Sequence, residues 1–140
     1  METTGILDYC ADDPAAVPLT ASAADGITAM LNRRMGAAAV VDDHGIVAGI
    51  FTERDVMLSV ALSGRDPSTI PIREVMTTPV LMATRETSIA KALQVMIEHH
   101  KRHLPVVEEN GKLIGILSIR HVLERKVDEL TRQLADGVKA

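Results

Sequence analysis

Apolar positions change their period several times along the first sixty residues. Over residues 22–34 they recur at helical spacing, with Ile27, Met30 and Leu31 on one face, and Ser22 is placed to cap the start. Residues 37–42 (AAAVVD) form a short continuous apolar run, which predicts a buried strand. Asp43-His44-Gly45 supplies turn chemistry, and residues 46–51 (IVAGIF) read as the return strand. Thr52 then opens a second helix, expected to reach about Leu62. Residues 63–71 (SGRDPSTIP) are dense in Ser, Pro, Gly and Asp and read as a linker. The same succession follows it. Residues 88–100 are helical, with Ile89, Leu93, Met96 and Ile97 on the inner face. Residues 104–107 are a strand, Asn110-Gly111 a turn and residues 113–117 the return strand. A last helix is expected over residues 118–135.

The recurrence is a true internal repeat. Shifted by 66 positions, the chain lies on itself without a gap. Ser22 falls on Ser88, Met30 on Met96, Val40-Val41 on Val106-Val107, Gly45 on Gly111, Gly49-Ile50 on Gly115-Ile116 and Arg54 on Arg120. Ile6 and Leu7 fall on Ile72 and Arg73, so part of the lead-in belongs to the repeat. The expected unit is a short strand, then helix, strand, strand, helix, which gives a mixed α/β (α+β) fold. Two copies are too few for a solenoid and suit a pseudo-two-fold pair with clefts between its halves. The expected division is residues 1–62, a linker at 63–71, residues 72–128, and a helical extension at 129–140.

Composition narrows the function classes. Hydrophobic residues make up 46% of the 140, as in ordinary globular chains. Phe51 and Tyr9 are the only aromatics, which argues against base-stacking platforms for single-stranded nucleic acid. A net charge of −4 with mixed signs gives no general attraction to nucleic acid or anionic membrane. The single Cys10 excludes an intramolecular disulfide and a Cys-based zinc site. No apolar run approaches the roughly 18 residues of a membrane span, and the acidic start is unlike a signal peptide. A cytoplasmic setting is the default expectation.

The segment Gly49-Ile50-Phe51-Thr52-Glu53-Arg54-Asp55 carries the most specific chemistry. An apolar strand ends, a hydroxyl follows, and an acid sits three residues on as a helix begins. One reading is a capping box, with Thr52 capping the helix and Asp55 reaching back to the Thr52 amide. The other uses the same geometry for a ligand. Free amides at a helix start attract an anion, and a neighbouring carboxylate accepts from the paired hydroxyls of a ribose.

Repeat and motif together resemble the cystathionine β-synthase (CBS) domain pair, or Bateman module. The resemblance rests on residues 40–57 (VVDDHGIVAGIFTERDVM), residues 104–123 (LPVVEENGKLIGILSIRHVL) and residues 73–80 (REVMTTPV), and covers the chain from about Ile6 to Val127. It implies two tandem CBS motifs packed with pseudo-two-fold symmetry, each a short sheet flanked by two helices, in a stand-alone member without a catalytic domain. It further implies a regulatory ligand: an adenine nucleotide, AMP first, with ADP and ATP as alternatives. By that resemblance Asp55 holds the ribose hydroxyls, while Thr52 and Arg54 lie near ribose and phosphate. Arg102 and His103 reach the phosphates, and adenine slots against Val80, Leu81, Met82 and Ile50. The second cleft departs from the pattern. Ser118 replaces Thr52, Arg120 matches Arg54, and His121 stands where the ribose-binding acid belongs; Val17 is assigned to the same weaker cleft. Its phosphate partners would be Met35, Gly36 and Ala37, none of them charged. An imidazole cannot match a carboxylate for two hydroxyl donors.

His99, His100 and His103 have spacing that can bind a divalent metal, but they also make an ordinary cationic helix end. No metal and no required cofactor are assigned. Leu123, Val127, Leu130 and Leu134 follow a 4-3-4 spacing that outruns the repeat and points to a partner helix, hence a homodimer. No nucleophile arrangement is evident, so no catalysis is expected. The alternatives are a ligand-free interaction or scaffold protein, and a metal-dependent enzyme using the three histidines. A regulated protein partner is left unnamed by the sequence.

Overall fold

The structure, a computed structural model, describes residues 5–11 and 13–134. Its two halves follow the repeat. In the first, β1 (Ala16–Pro18) leads into α1 (Ala23–Arg33). Ser22 Oγ accepts from Asp25 N at 3.1 Å and the Asp25 carboxylate accepts from Ser22 N at 3.0 Å, which satisfies two free amides at once. Arg34 closes the helix in the left-handed region. Then β2 (Ala37–Val41) pairs parallel with β1 and antiparallel with β3 (Val47–Thr52), giving a sheet in the order β1-β2-β3. The short helices α2 (Glu53–Asp55) and α3 (Ile72–Val75) follow. The second half repeats the plan with β4 (Ala83–Thr84), α4 (Ile89–Glu98), β5 (His103–Val107), β6 (Leu113–Ser118) and α5 (Ile119–Gln133), in sheet order β4-β5-β6. The fold is mixed α/β, as the pattern predicts. The expected end of the last helix at Ala135 lies outside the described residues.

Three details differ from the expectation. The helix after Thr52 is not regular: three α-helical residues give way to a π turn at Val56–Val60 and a 3-10 turn at Ala61–Ser63. The wide turn, with Ala61 N bonded to Val56 O, buries Val60 while Met57, Leu58 and Leu62 stay exposed. Leu31 and Ile97 are not on inner faces; they are equivalent positions, and both stand in solvent. Their helices bury Met30 and Met96 instead, one residue round each turn. Finally, the linker is not all loop. Asp66 caps a 3-10 turn at Pro67–Thr69, and Ile70 is fully buried.

The two cores exchange their leading segments. Ile6, Tyr9 and Cys10 do not pack with the first copy. They join Ala83, Met96, Leu104, Val106 and Leu117 in the core of the second. Reciprocally, Ile70 and Ile72 join Val17, Met30, Val40 and Phe51 in the core of the first. The backbone records the same exchange. Cys10 bridges Leu117 on β6, and Thr77 bridges Ile50 on β3 through a pair of hydrogen bonds of 2.7 and 3.1 Å. Two glycines make room. A Cβ on Gly49 would collide with the Met76 side chain, and one on the equivalent Gly115 would press on Leu7 and Cys10 at 3.2–3.3 Å.

The hairpins also lock to each other. Val47 N donates to Gly111 O and Leu113 N donates to Gly45 O, both at 3.1 Å, across the pseudo-two-fold axis. Gly45 and Gly111 hold φ of 80° and 90°, a region that favours glycine, so each turn presents its carbonyl to the opposite hairpin. On α5, Arg125 and Lys126 lie over the Tyr9 ring at 5.2 and 5.3 Å, and Arg125 donates to Asp8 O at 2.7 Å, which clamps the exchanged lead-in.

If Gly49 exists to admit Met76, Gly49→Ala costs about 1–3 kcal/mol of stability through overpacking. Met76→Ala in the same chain recovers part of that loss, giving a double-mutant cycle that is not additive. Urea denaturation of the three variants measures both effects.

Candidate functional site

The exchange assembles a polar cluster at the end of β3. Thr52 caps α2, and the Asp55 carboxylate turns back onto it. Asp55 Oδ2 accepts from Thr52 N at 2.9 Å and from Thr52 Oγ1 at 3.1 Å, and Asp55 N donates to Thr52 Oγ1 at 3.3 Å. The capping box read from sequence is therefore present. A third residue completes the cluster. Thr77 Oγ1 donates to Asp55 Oδ1 at 3.0 Å and to Oδ2 at 3.2 Å. Thr77 reaches Asp55 only because its segment pairs with Ile50 on the first sheet. Oδ2 is saturated by these donors. Among the described residues Oδ1 takes only the shared Thr77 hydroxyl, which leaves capacity for another donor.

The segment after Thr77 carries Val80, half-buried, and Leu81 and Met82, both exposed, before it enters β4. Ile50 is buried beside Thr77. Arg54 is exposed and forms no ion pair among the described residues. Arg102, in the bend just before β5, and His103, the first residue of β5, point apart. Arg102 lines a groove of about 520 Å³ with Ile119, Arg120, Leu123 and Val127 along α5. His103 instead faces α2. A Cβ built on Gly36 would lie 2.5 Å from Glu53 Oε1 and 2.9 Å from His103 Cε1, so the two side chains converge over Gly36. Burial pushes the His103 imidazole below its ordinary pKa; Glu53 opposes that shift and Arg102 adds to it. The structure thus brings Thr52, Asp55, Thr77 and Ile50 together, and His103 to the start of α2, while Arg102 turns toward α5.

The equivalent place in the second copy is built differently. Ser118 makes no side-chain cap bond to α5. His121 stands at the position of Asp55, and Ala11 at that of Thr77. Arg120 is mostly exposed and pairs with Glu124 at 3.1 Å. Val17, assigned from sequence to this cleft, lies in the first core at 6% exposure, because β1 turns it inward against Val40. Ala37 is fully buried, and Gly36 faces Glu53 and His103 of the first cluster. Met35 packs half-buried against the first core.

Sequence reasoning missed Thr77 and Glu53. Thr77 sits within the quoted REVMTTPV segment, and its counterpart Ala11 lacks the hydroxyl, which was the available signal. The three histidines do not converge: among the described residues no group of three or more His, Cys, Asp or Glu is placed to hold a metal ion. His99 caps α4, and His100 takes a left-handed conformation beyond it. Burial raises the Cys10 thiol to about 11, far from a reactive thiolate. No described helix is long and apolar enough to cross a membrane.

Comparison with known proteins gives the class. The CBS domain family model matches residues 6–61 and again residues 72–128, so the chain belongs to the CBS-domain family as a tandem pair. A 17.7 kDa protein of Acidianus ambivalens is 37% identical over 110 residues, covering 79% of this chain and 65% of its own length. The chain spans 48–65% of the first curated relatives it matches. Among solved structures, the CBS-domain containing protein ATU1752 of Agrobacterium tumefaciens aligns with a TM-score of 0.74 and 31% identity, covering 86% of this chain and 90% of that one. The CBS domain pair of protein MJ0100, solved with 5′-methylthioadenosine and S-adenosyl-L-methionine, has the same fold: its TM-score is 0.78 at 20% identity, covering 88% of this chain and 99% of that one.

Replacing Thr77 by Val removes the one hydroxyl that holds Asp55 Oδ1 while keeping the side chain's shape. A hydrogen bond to a carboxylate at a half-buried position predicts a loss of about 1–2 kcal/mol, read by chemical denaturation. Ala11→Val, at the equivalent position, lacks that mechanism, and a matching loss there would contradict the role given to Thr77.

Proposed function

We propose that this CBS pair is a ligand-sensing regulatory module that binds an adenine nucleotide, AMP first, in the cleft bordered by Thr52, Asp55, Thr77 and residues 80–82, without catalysis. The observation that carries this reading is the Asp55 carboxylate. Two threonines orient it, and Oδ1 keeps acceptor capacity for a ribose hydroxyl. Exposed Leu81 and Met82 offer an apolar surface for a base beside it. The adenosine ligands of the MJ0100 pair lend support to this ligand class. One site per chain is proposed, because His121 and Ala11 replace the acid and the hydroxyl in the second copy. The proposed setting is cytoplasmic.

AMP therefore raises the melting temperature. At one hundred times its dissociation constant, the added stability is about 2.7 kcal/mol. Asp55→Ala weakens binding roughly tenfold or more, the worth of a carboxylate hydrogen bond, while His121→Ala leaves it nearly unchanged. Equal losses from the two substitutions, measured by calorimetry, would contradict the choice of cleft.

A homodimer is the proposed means of reporting occupancy. Leu31 and Ile97 are repeat equivalents, as are Met57 and Leu123, and all four are more than half exposed. Val127, Leu130 and Leu134 extend the stripe along α5. A symmetric apolar display of this kind fits a second copy of the same chain better than an unrelated partner. Charging the seam with Leu130→Glu and Leu134→Glu shifts light scattering toward monomer while circular dichroism stays helical. A wild-type chain that is monomeric at high micromolar concentration would overturn the dimer.

A further inference from the structure

Glu53 and His103 come from different copies of the repeat and meet over Gly36, where no side chain separates them. Glu53 directly follows Thr52 at the start of α2, and the CBS resemblance assigns His103 to the phosphates of a nucleotide held at Asp55; the inference rests on the function proposed above. An acid is an odd neighbour for a phosphate. At neutral pH Glu53 repels it, and a neutral imidazole offers no opposing charge. Among the described residues the charged groups that act on His103 are Glu53 from α2 and Arg102 from the bend just before β5. Ser118, opposite it on β6, and Gly36 add none. The second copy has no such pair: Ile119 and Ala37 occupy the equivalent positions.

We propose that Glu53 and His103 form a proton-controlled charge selector: Glu53 disfavours phosphorylated ligands while His103 is neutral, and His103 takes up a proton when one binds. The sign follows from the surroundings. Burial holds the free imidazole below its ordinary range, so it is neutral at pH 7. A phosphate dianion beside it raises its affinity for a proton. Binding of AMP therefore tightens as pH falls through the pKa of the complex, and the gain levels off below that of the free protein. Each unit by which the ligand raises the His103 pKa is worth about tenfold in affinity across that window. Adenosine, which has no charge to offer, gains nothing.

The test measures dissociation constants of AMP and adenosine by calorimetry at pH 8.0 and pH 5.5, for the wild-type chain, His103→Gln and Glu53→Gln. Circular dichroism checks that each variant is folded. The titration of free AMP is common to all three proteins and cancels in the comparison, so a difference between their pH profiles belongs to the complex. The proposal expects the wild-type chain to gain about tenfold more AMP affinity on acidification than His103→Gln. It expects Glu53→Gln, at the exposed carboxylate, to tighten AMP several-fold at pH 8.0 and leave adenosine unchanged. Parallel pH profiles in the wild-type chain and His103→Gln, or a Glu53→Gln effect equal for both ligands, would overturn the selector alone. Absence of binding by either ligand at both pH values would overturn the adenine-nucleotide reading and the selector with it.

Discussion

Each three-stranded sheet is completed by a segment that belongs, in chain order, to the other copy. Ile6, Tyr9 and Cys10 wall the second core, and Ile70 and Ile72 wall the first. A half alone would lose that wall and expose several large apolar side chains, at about 1.5–3 kcal/mol for each one fully uncovered. The exchange thus makes the pair one cooperative unit. It also builds the candidate site. The same crossing that carries Ile72 and Met76 onto the first sheet lays Thr77 beside Ile50 and points its hydroxyl at Asp55. Residues 78–82 then run from this cluster into β4, so the cluster is bordered by both copies.

Much of this frame was legible in the sequence. Strand lengths, turn glycines and caps are local, and period plus punctuation located them within a residue or two. The partner of each lead-in was not legible. A 66-residue repeat maps Ile6 onto Ile72, but packing at home and packing across the axis satisfy that mapping equally. Only the joint fit of Gly49 with Met76 and of Gly115 with Cys10 distinguishes them. The outward Leu31 and Ile97 misled for a related reason. Periodicity marks a stripe wider than the core needs, and the surplus edge is free for other contacts. The π turn after Asp55 has no periodicity of its own, so a regular helix was the natural expectation. Arg102 and His103 were grouped by the resemblance, but Arg102 sits in the bend before β5 and lines the groove along α5, while His103 opens the strand and meets Glu53.

The two ends of the pair share a backbone and differ in chemistry. Asp55 with Thr77 faces His121 with Ala11, and Glu53 with His103 faces Ile119 with Ala37. These substitutions leave the hairpins, the exchanged segments and the bulges at equivalent places, since both sheets shift register between the same paired valines. Backbone pairing and core packing carry the symmetry, and polar side chains at half-buried and exposed positions break it. A duplicated fold is therefore compatible with a single candidate site, because Asp55, Thr77 and His103 lie at the margin of the core and not within it.

The central claim is that one cleft per chain, the one built on Asp55 and Thr77, is made for an adenine nucleotide. A crystal structure grown with AMP tests it most directly. The account predicts one AMP per chain, with a ribose hydroxyl on Asp55 Oδ1 and the base against Leu81 and Met82, and no nucleotide beside His121. Nucleotide in both clefts, or beside Ser118 and His121 alone, would contradict it.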